Sequence, residues 1–526
     1  MLFVPRTPSS HQHWFVICLA ARELLEFSGK RNLARACGSY YWVQTARKRD
    51  CDSSTIFVRI GVFLGMIAVI LAAGKGTRMK SKLPKALHPI CGKPMTRYVI
   101  DACKDSEIDD ITVVIGHGAE QVREGLGDDV RYAIQEKQLG TGDACRRAIE
   151  AIGHTHGDVL VLPGDTPLVS SEVLRKLIES HTASNADASV LTTILPDGGN
   201  YGRVIRTADG SVAAIVEAKD ATPEQRQVRE INAGIYCFKL NLLMTYLQQL
   251  RPDNAQSEYY LTDVIGLMVR DKRRVEAVVS DDTDAVEGIN DRLQLARLTA
   301  IVRQRILERL MLDGVTIIDP STTYVDADVR IGKDTTIYPQ CVIEKGTTIG
   351  DECTIGPCTR LVNVTIGNEV TVFFSHVVDS SIGDGTRIGP FANIRPGCRI
   401  GKKVKIGDFV EAKNAEIGDS VSMSHLSYVG DSFVGEHTNI GAGTITCNYD
   451  GYSKHRTTIG KNCFVGSNVT LIAPVEVGDG ALIAAGSVIT ENVPGDALAI
   501  ARCTQTIKDG WAKRRRELKE RRNNNG

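Results

Sequence analysis

The chain has 526 residues, 42% of them hydrophobic and 24% charged, and its 63 Lys+Arg balance 63 Asp+Glu to a formal net charge of zero. That length exceeds one compact core and calls for two or three domains. The neutral balance excludes a global field for nucleic acid or an anionic membrane, so any anion site must be local.

Fourteen cysteines are scattered from Cys18 to Cys503 without repeated close pairs. This argues against structural zinc and a disulfide framework, and for a reducing, cytoplasmic setting. In the first 65 residues, Trp14 to Ala21 is apolar but too short to span a bilayer. The stretch from Ile56 to Ala73 is interrupted by Arg59 and runs into a glycine loop, so its second half reads as a buried parallel strand rather than an anchor. Residues 1–65 are expected to be an N-terminal extension without an interpretable motif, the first domain beginning at Met66.

From 66 to 295, apolar runs (Ala68–Leu71, Ile111–Ile115, Val159–Leu162, Ser189–Ile194) alternate with segments of helical spacing such as Thr96–Lys104 and Ser171–Ser180. This rhythm predicts an α/β domain with a mainly parallel, Rossmann-like sheet, whose ligands bind beyond the carboxyl ends of the strands. The first strand ends in Leu71-Ala72-Ala73-Gly74-Lys75-Gly76-Thr77-Arg78-Met79, where backbone N–H groups and two cations suit phosphates. It is neither a Walker A loop nor a complete dinucleotide fingerprint. Leu83-Pro84-Lys85 adds a cation. Gln135 through Gly142 forms a second polar, glycine-rich segment suited to a base edge. Val159 through Asp165 ends a buried strand in a carboxylate, well placed to hold Mg²⁺ against phosphates.

Taken in order, LAAGKGTRM, LPK, QLGTG and GD, followed by Tyr201-Gly202-Arg203, Ile215-Val216-Glu217, Ile231-Asn232-Ala233-Gly234 and Val286 through Asn290, resemble the bacterial N-acetylglucosamine-1-phosphate uridylyltransferases. The resemblance implies contacts to UTP from Leu71, Ala72, Ala73, Gly74, Lys85, Gln135, Gly140 and Thr141. It implies sugar contacts from Gly202, Glu217, Asn232 and Asn290, and Mg²⁺ ligation by Asp165 and Asn290. Arg78 and Lys85 would stabilise the transferring phosphoryl group. Relatives often carry Tyr before the Gly-Asp pair; here Pro163 stands there.

Helical apolar spacing from Arg292 to Leu312 predicts a linker helix, assigned to 296–314. From Ile331-Gly332 onward an aliphatic residue followed by glycine recurs at close to six residues or multiples of six, as at Ile349, Ile355, Ile366, Ile382, Ile388, Ile400 and Ile406. That period predicts a hexapeptide solenoid over 315–502, with about 18 residues per triangular coil. Two polar segments, Glu411–Asn414 and His425–Tyr428, read as insertions breaking the period. A longer excursion begins within Asn439–Gly451, and the repeat resumes at Ile459. The basic tail 503–526, with its run from Lys513 to Arg522, reads as a solvated helix face.

This second half resembles the glucosamine-1-phosphate N-acetyltransferase part of the same bifunctional bacterial family, so the domain order joins the evidence. The resemblance implies a left-handed parallel β-helix, a homotrimer, and His425 as general base with Asn448 orienting the reacting groups. It places glucosamine-1-phosphate on Arg395, Lys413, Tyr428, Asn439 and Lys454, and acetyl-CoA on Ala442, Asn448, Tyr449, Ser467, Ala485 and Arg502. Two other readings are a single-activity NDP-sugar pyrophosphorylase with a regulatory solenoid, and a non-catalytic assembly subunit.

Overall fold

The computed structural model describes residues 39–47, 56–153 and 156–524, with the backbone alone for the antiparallel strands β1 (Ser39–Arg47) and β2 (Ile56–Leu64). The apolar run Trp14–Ala21 lies outside the described residues. The stretch from Ile56 onward is not one strand: Gly65 and Met66 separate β2 from β3 (Ile67–Leu71). The chain divides into two compact units, one ending at Thr299 and the other beginning at Ala300.

The first unit is built on a sheet in which β3 lies between β4 (Asp110–Ile115) and β6 (Asp158–Pro163), parallel to both, with β5 (Arg131–Ile134) beyond β4. Strand β8 (Glu230–Lys239) runs antiparallel to β6 and also to β7 (Ala188–Ile194), so the sheet is mixed rather than wholly parallel. Period-two alternation places successive β3 residues on opposite faces. Ala68 and Ile70 pack with Val99, Val122, Leu174 and Leu177 from helices α1 (Met95–Asp105), α2 (Ala119–Leu126) and α4 (Ser171–Ser184). Ile67 and Val69 pack with Ala148, Leu243 and Ile265 on the other face, from α3 (Thr141–Ile152), α5 (Leu240–Leu247) and α6 (Thr262–Arg270). Each fully buried aliphatic side chain contributes about 1.5–3 kcal/mol. Cores on both faces explain why these strands are apolar throughout.

A continuous helix, Arg292–Leu312, leads into the second unit, a parallel β-helix from Thr316 to Ala499. Hydrogen bonds repeat from coil to coil at 17 or 18 residues, as from Lys402 N to Asp419 Oδ1 and from Val404 N to Thr386 Oγ1. Ile337, Ile355, Val372 and Ile388 fill one column of the prism, all fully buried. The glycine of each Ile-Gly pair is required by close approach: a Cβ on Gly383 would lie 2.7 Å from the Gly401 carbonyl carbon of the next coil. The following Asp or Asn accepts a backbone N–H from the adjacent coil, so the corner leaves few polar groups unpaired.

The segments Glu411–Asn414 and His425–Tyr428 are not insertions. They lie within two 13-residue strands, Lys405–Ile417 and Ser422–Val434, paired in parallel register. Glu411, Lys413, His425 and Tyr428 face outward while Val410, Ala412 and Val429 fill the prism, with Ser427 the buried polar exception, so polarity there marks a surface and not a break. The one long excursion follows Cys447 and stretches the coil spacing to 25 residues, from Cys463 N to Thr438 Oγ1. The basic tail is the exposed helix Trp511–Asn524. No helix among the described residues is long and apolar enough to cross a membrane.

Candidate active sites

The first site lies beyond the carboxyl ends of β3 and β6. Gly164 N donates to Leu71 O (2.9 Å) and Thr96 Oγ1 donates to Gly164 O (2.7 Å), fastening the turn that carries Asp165. Ile289 N donates to Asp165 O at 2.9 Å, which brings Asn290 alongside. The Asp165 carboxylate pairs with Lys85. Lys85 Nζ also donates to Asn290 Oδ1 (3.0 Å), and Arg78 Nη2 donates to the same oxygen (2.8 Å). Four residues singled out in the sequence thus meet around two hard oxygen donors and two cations. One carboxylate and one amide oxygen beside an open loop fit Mg²⁺, which binds through few protein ligands together with substrate phosphates.

Around this centre the glycine loop is shaped by buried neighbours. The Ala73 side chain is buried in the core, so only its backbone faces a ligand, whereas Gly74 is exposed. Gln135 is buried, and its amide nitrogen donates to Gly140 O (3.1 Å) and Asp143 Oδ2 (2.9 Å), leaving the amide oxygen for another partner. Gly140 has φ +115°, and a Cβ there would come 2.5 Å from Tyr259 O. Thr141 opens helix α3, and its hydroxyl accepts from Leu261 N at 3.0 Å.

Farther along the same sheet, Asn232 N donates to Gly202 O (2.9 Å), and a Cβ on Gly202 would sit 3.6 Å from both Asn232 Cβ and Glu217 Oε1. Burial raises the Glu217 carboxyl above its ordinary value, although Thr262 Oγ1 donates to it at 3.2 Å. The Asn232 amide is held by Tyr236 (2.7 Å). The Pro163 carbonyl accepts from Thr166 Oγ1 at 3.1 Å, and its ring lies against Gly234, where a Cβ would be 3.7 Å from Pro163 Cγ.

The second site lies on the β-helix. A groove of about 480 Å³ is lined by His425, Asn439, Ala442, Ser467 and Ala485, and Arg502 reaches its rim by donating to Ala485 O (2.6 Å). Across coils, Arg395 Nη1 donates to Glu411 Oε1 (2.7 Å), and Glu411 pairs in register with Tyr428. Lys454 and then Arg395 pull Lys413 below its ordinary pKa, as clustered like charges do. Arg395 is partly offset by Glu411, while the crowded Lys413 and Lys454 suit a phosphate. Asn448 is buried and donates to Asp431, which also accepts from Asn414 at 2.6 Å. Burial pushes the Asp431 carboxyl up, but these hydrogen bonds and the neighbouring lysines hold it below the usual carboxylate range. Tyr449 is exposed on the excursion, where it bridges to Lys454.

Sequence reasoning missed Asp408, whose Oδ1 lies 3.0 Å from His425 Nδ1, and Asp431 beneath Asn448. Both partners stand 17 residues away, a single coil, and only that period signals them. Burial pushes the thiols of Cys103 and Cys145 up to about 12, so neither serves as a thiolate nucleophile.

Residues 68–224 match the family described as "MobA-like NTP transferase domain". Residues 328–363 and 379–413 match "Bacterial transferase hexapeptide (six repeats)", and 456–491 match "Hexapeptide repeat of succinyl-transferase". The chain is 50% identical to the Bifunctional protein GlmU of Acetivibrio thermocellus, covering 86% of this chain and 99% of that one. It is 49% identical to that of Geobacillus thermodenitrificans and 47% identical to that of Shouchella clausii, with the same coverage. A nucleotidyltransferase unit followed by a hexapeptide acetyltransferase unit, with relatives this similar over nearly their full length, establishes that the chain belongs to the family of bifunctional GlmU proteins.

Proposed function

We propose that the two sites act in sequence to make UDP-N-acetylglucosamine, with the residues named above in the following roles. At the β-helix, Arg395, Lys413, Tyr428, Asn439 and Lys454 hold glucosamine-1-phosphate, and the groove through Ala442, Asn448, Tyr449, Ser467, Ala485 and Arg502 holds acetyl-CoA. The 2-amino nitrogen attacks the thioester carbon and the C–S bond breaks. The proton lost by nitrogen passes to His425, which returns it to the departing thiolate.

In the α/β unit, Leu71, Ala72, the Ala73 and Gly74 backbone, Gln135, Gly140 and Thr141 bind UTP. Gly202, Glu217, Asn232 and Asn290 bind N-acetylglucosamine-1-phosphate. A phosphate oxygen of the sugar attacks the α-phosphorus of UTP in line, and the bond to the β-phosphate breaks to release pyrophosphate. The attacking oxygen is already anionic, so no general base is required, and Arg78 and Lys85 meet the developing charge. Mg²⁺, held by Asp165 and Asn290, would supply further neutralisation of the phosphates.

We further assign the chain to the cytoplasm and to a homotrimer with the left-handed coil sense of the family. An exposed ridge of Phe374, Phe391 and Phe409, the first pair tilted at 5.7 Å between ring centroids and the second stacked at 5.4 Å, is the kind of apolar surface that self-association covers.

The observation that carries the bifunctional reading is the presence in one chain of the Arg78–Lys85–Asp165–Asn290 cluster and of the His425 groove on the β-helix. His425→Ala is expected to abolish acetyl transfer and leave uridylyl transfer within twofold, about its full rate; Asp165→Asn is expected to do the reverse. Loss of both activities in either folded variant overturns the two-site assignment.

A further inference from the structure

We propose that Asp408 is a positioning residue for acetyl transfer: its carboxylate fixes the His425 imidazole with the proton on Nδ1 and the Nε2 lone pair turned to the substrate. The inference rests on the reading of His425 as the general base. The parallel register sets Asp408 opposite His425 on the adjacent coil, with Oδ1 3.0 Å from Nδ1. A Cβ on Gly407 would collide with Ser424 O, so the glycine lets the two coils close here and carries Asp408 beneath the ring.

An ionised carboxylate only accepts hydrogen bonds. Nδ1 must therefore carry the proton, and a neutral imidazole has one proton to give. The other ring nitrogen is then a lone-pair acceptor, the form a base needs before it takes a proton from an amine. Without the carboxylate the ring is free to adopt either tautomer and either flip, and only part of that population is competent.

The charged groups around His425 leave Asp408 as the one committed to it among the described residues. On the same strand, Glu411 is occupied by Arg395 at 2.7 Å, and Lys405 pairs in register with Ser422. The strands Asn439–Ile440 and Phe464–Val465 on the other side bring no titratable side chain. Arg502 is held at Ala485 O. Both partners are solvent-accessible, His425 at 66% and Asp408 at 42% of the side chain, so water screens the pair and its direct Coulombic effect is small. Its consequence is the choice of tautomer, a geometric effect.

The test uses the full chain, measuring acetyl transfer and uridylyl transfer separately for Asp408→Ala, His425→Ala and the parent. Asp408→Ala is expected to lower kcat for acetyl transfer about fivefold, with both KM values within about twofold. Uridylyl transfer and the unfolding midpoint are expected to be unchanged. Added formate is expected to restore part of the lost rate in Asp408→Ala and none in His425→Ala, because a small carboxylate can reoccupy the position beside Nδ1. A parent-like kcat in Asp408→Ala overturns the inference. So does a lowered kcat with a lowered unfolding midpoint and no response to formate, which marks the pair as a fastening between coils. Acetyl transfer that survives His425→Ala overturns instead the reading of His425 as base, whatever Asp408 does.

Discussion

At the residue scale, each site gathers charged side chains, Lys85 with Asp165 in the α/β unit and Arg395 with Glu411 on the β-helix. Arg395, Lys413 and Lys454 crowd one another on the β-helix surface, and their mutual repulsion shows in the lowered pKa of Lys413. A phosphate entering the cluster would relieve that repulsion. Lys413→Ala is therefore expected to raise KM for glucosamine-1-phosphate about tenfold with kcat little changed, and to weaken the salt dependence of KM. Steady-state kinetics at low and high ionic strength check both. The residues of the proposed sites can be picked out because short motifs keep their order along the chain, as with Lys85 in LPK or His425 before Tyr428. Their partners were not legible in the same way. Asp408 and Asp431 sit 17 residues from the side chains they hold, and a motif read along the chain contains no such distance until the coil period is applied across it.

At the scale of elements, the periodicities carried most of the fold. Continuous apolar runs gave β3, β4, β6 and β7, and the six-residue repeat gave the β-helix, because each period reflects which side chains must be buried. The polar stretches Glu411–Asn414 and His425–Tyr428 misled for a physical reason. In a 17-residue coil an extended strand turns its outward residues to solvent without any break in pairing, so polarity marks exposure rather than insertion. The antiparallel course of β8 was equally hidden, since a buried strand has the same composition in either direction. One turn in the first unit depends on glycine alone. Gly140 combines φ +115° with a close approach to Tyr259 O, a backbone region that costs other residues about 1–3 kcal/mol. Gly140→Ala is expected to raise KM for UTP at least about tenfold while leaving acetyl transfer intact; separate assays of the two half-reactions measure this.

At the scale of the whole molecule, the two units carry different chemistry on different architectures. The α/β unit presents loops beyond parallel strands, where Asp165, Lys85 and Asn290 meet. The β-helix presents a rigid stacked surface, where successive coils hold His425, Ala442, Ser467 and Ala485 along one groove. The most direct test of the account supplies the purified chain with glucosamine-1-phosphate, acetyl-CoA, UTP and Mg²⁺ and follows free thiol and pyrophosphate separately. The account predicts that both appear and that pyrophosphate release requires acetyl-CoA. Pyrophosphate released only from added N-acetylglucosamine-1-phosphate, with no thiol formed, would contradict it and reduce the β-helix to a scaffold.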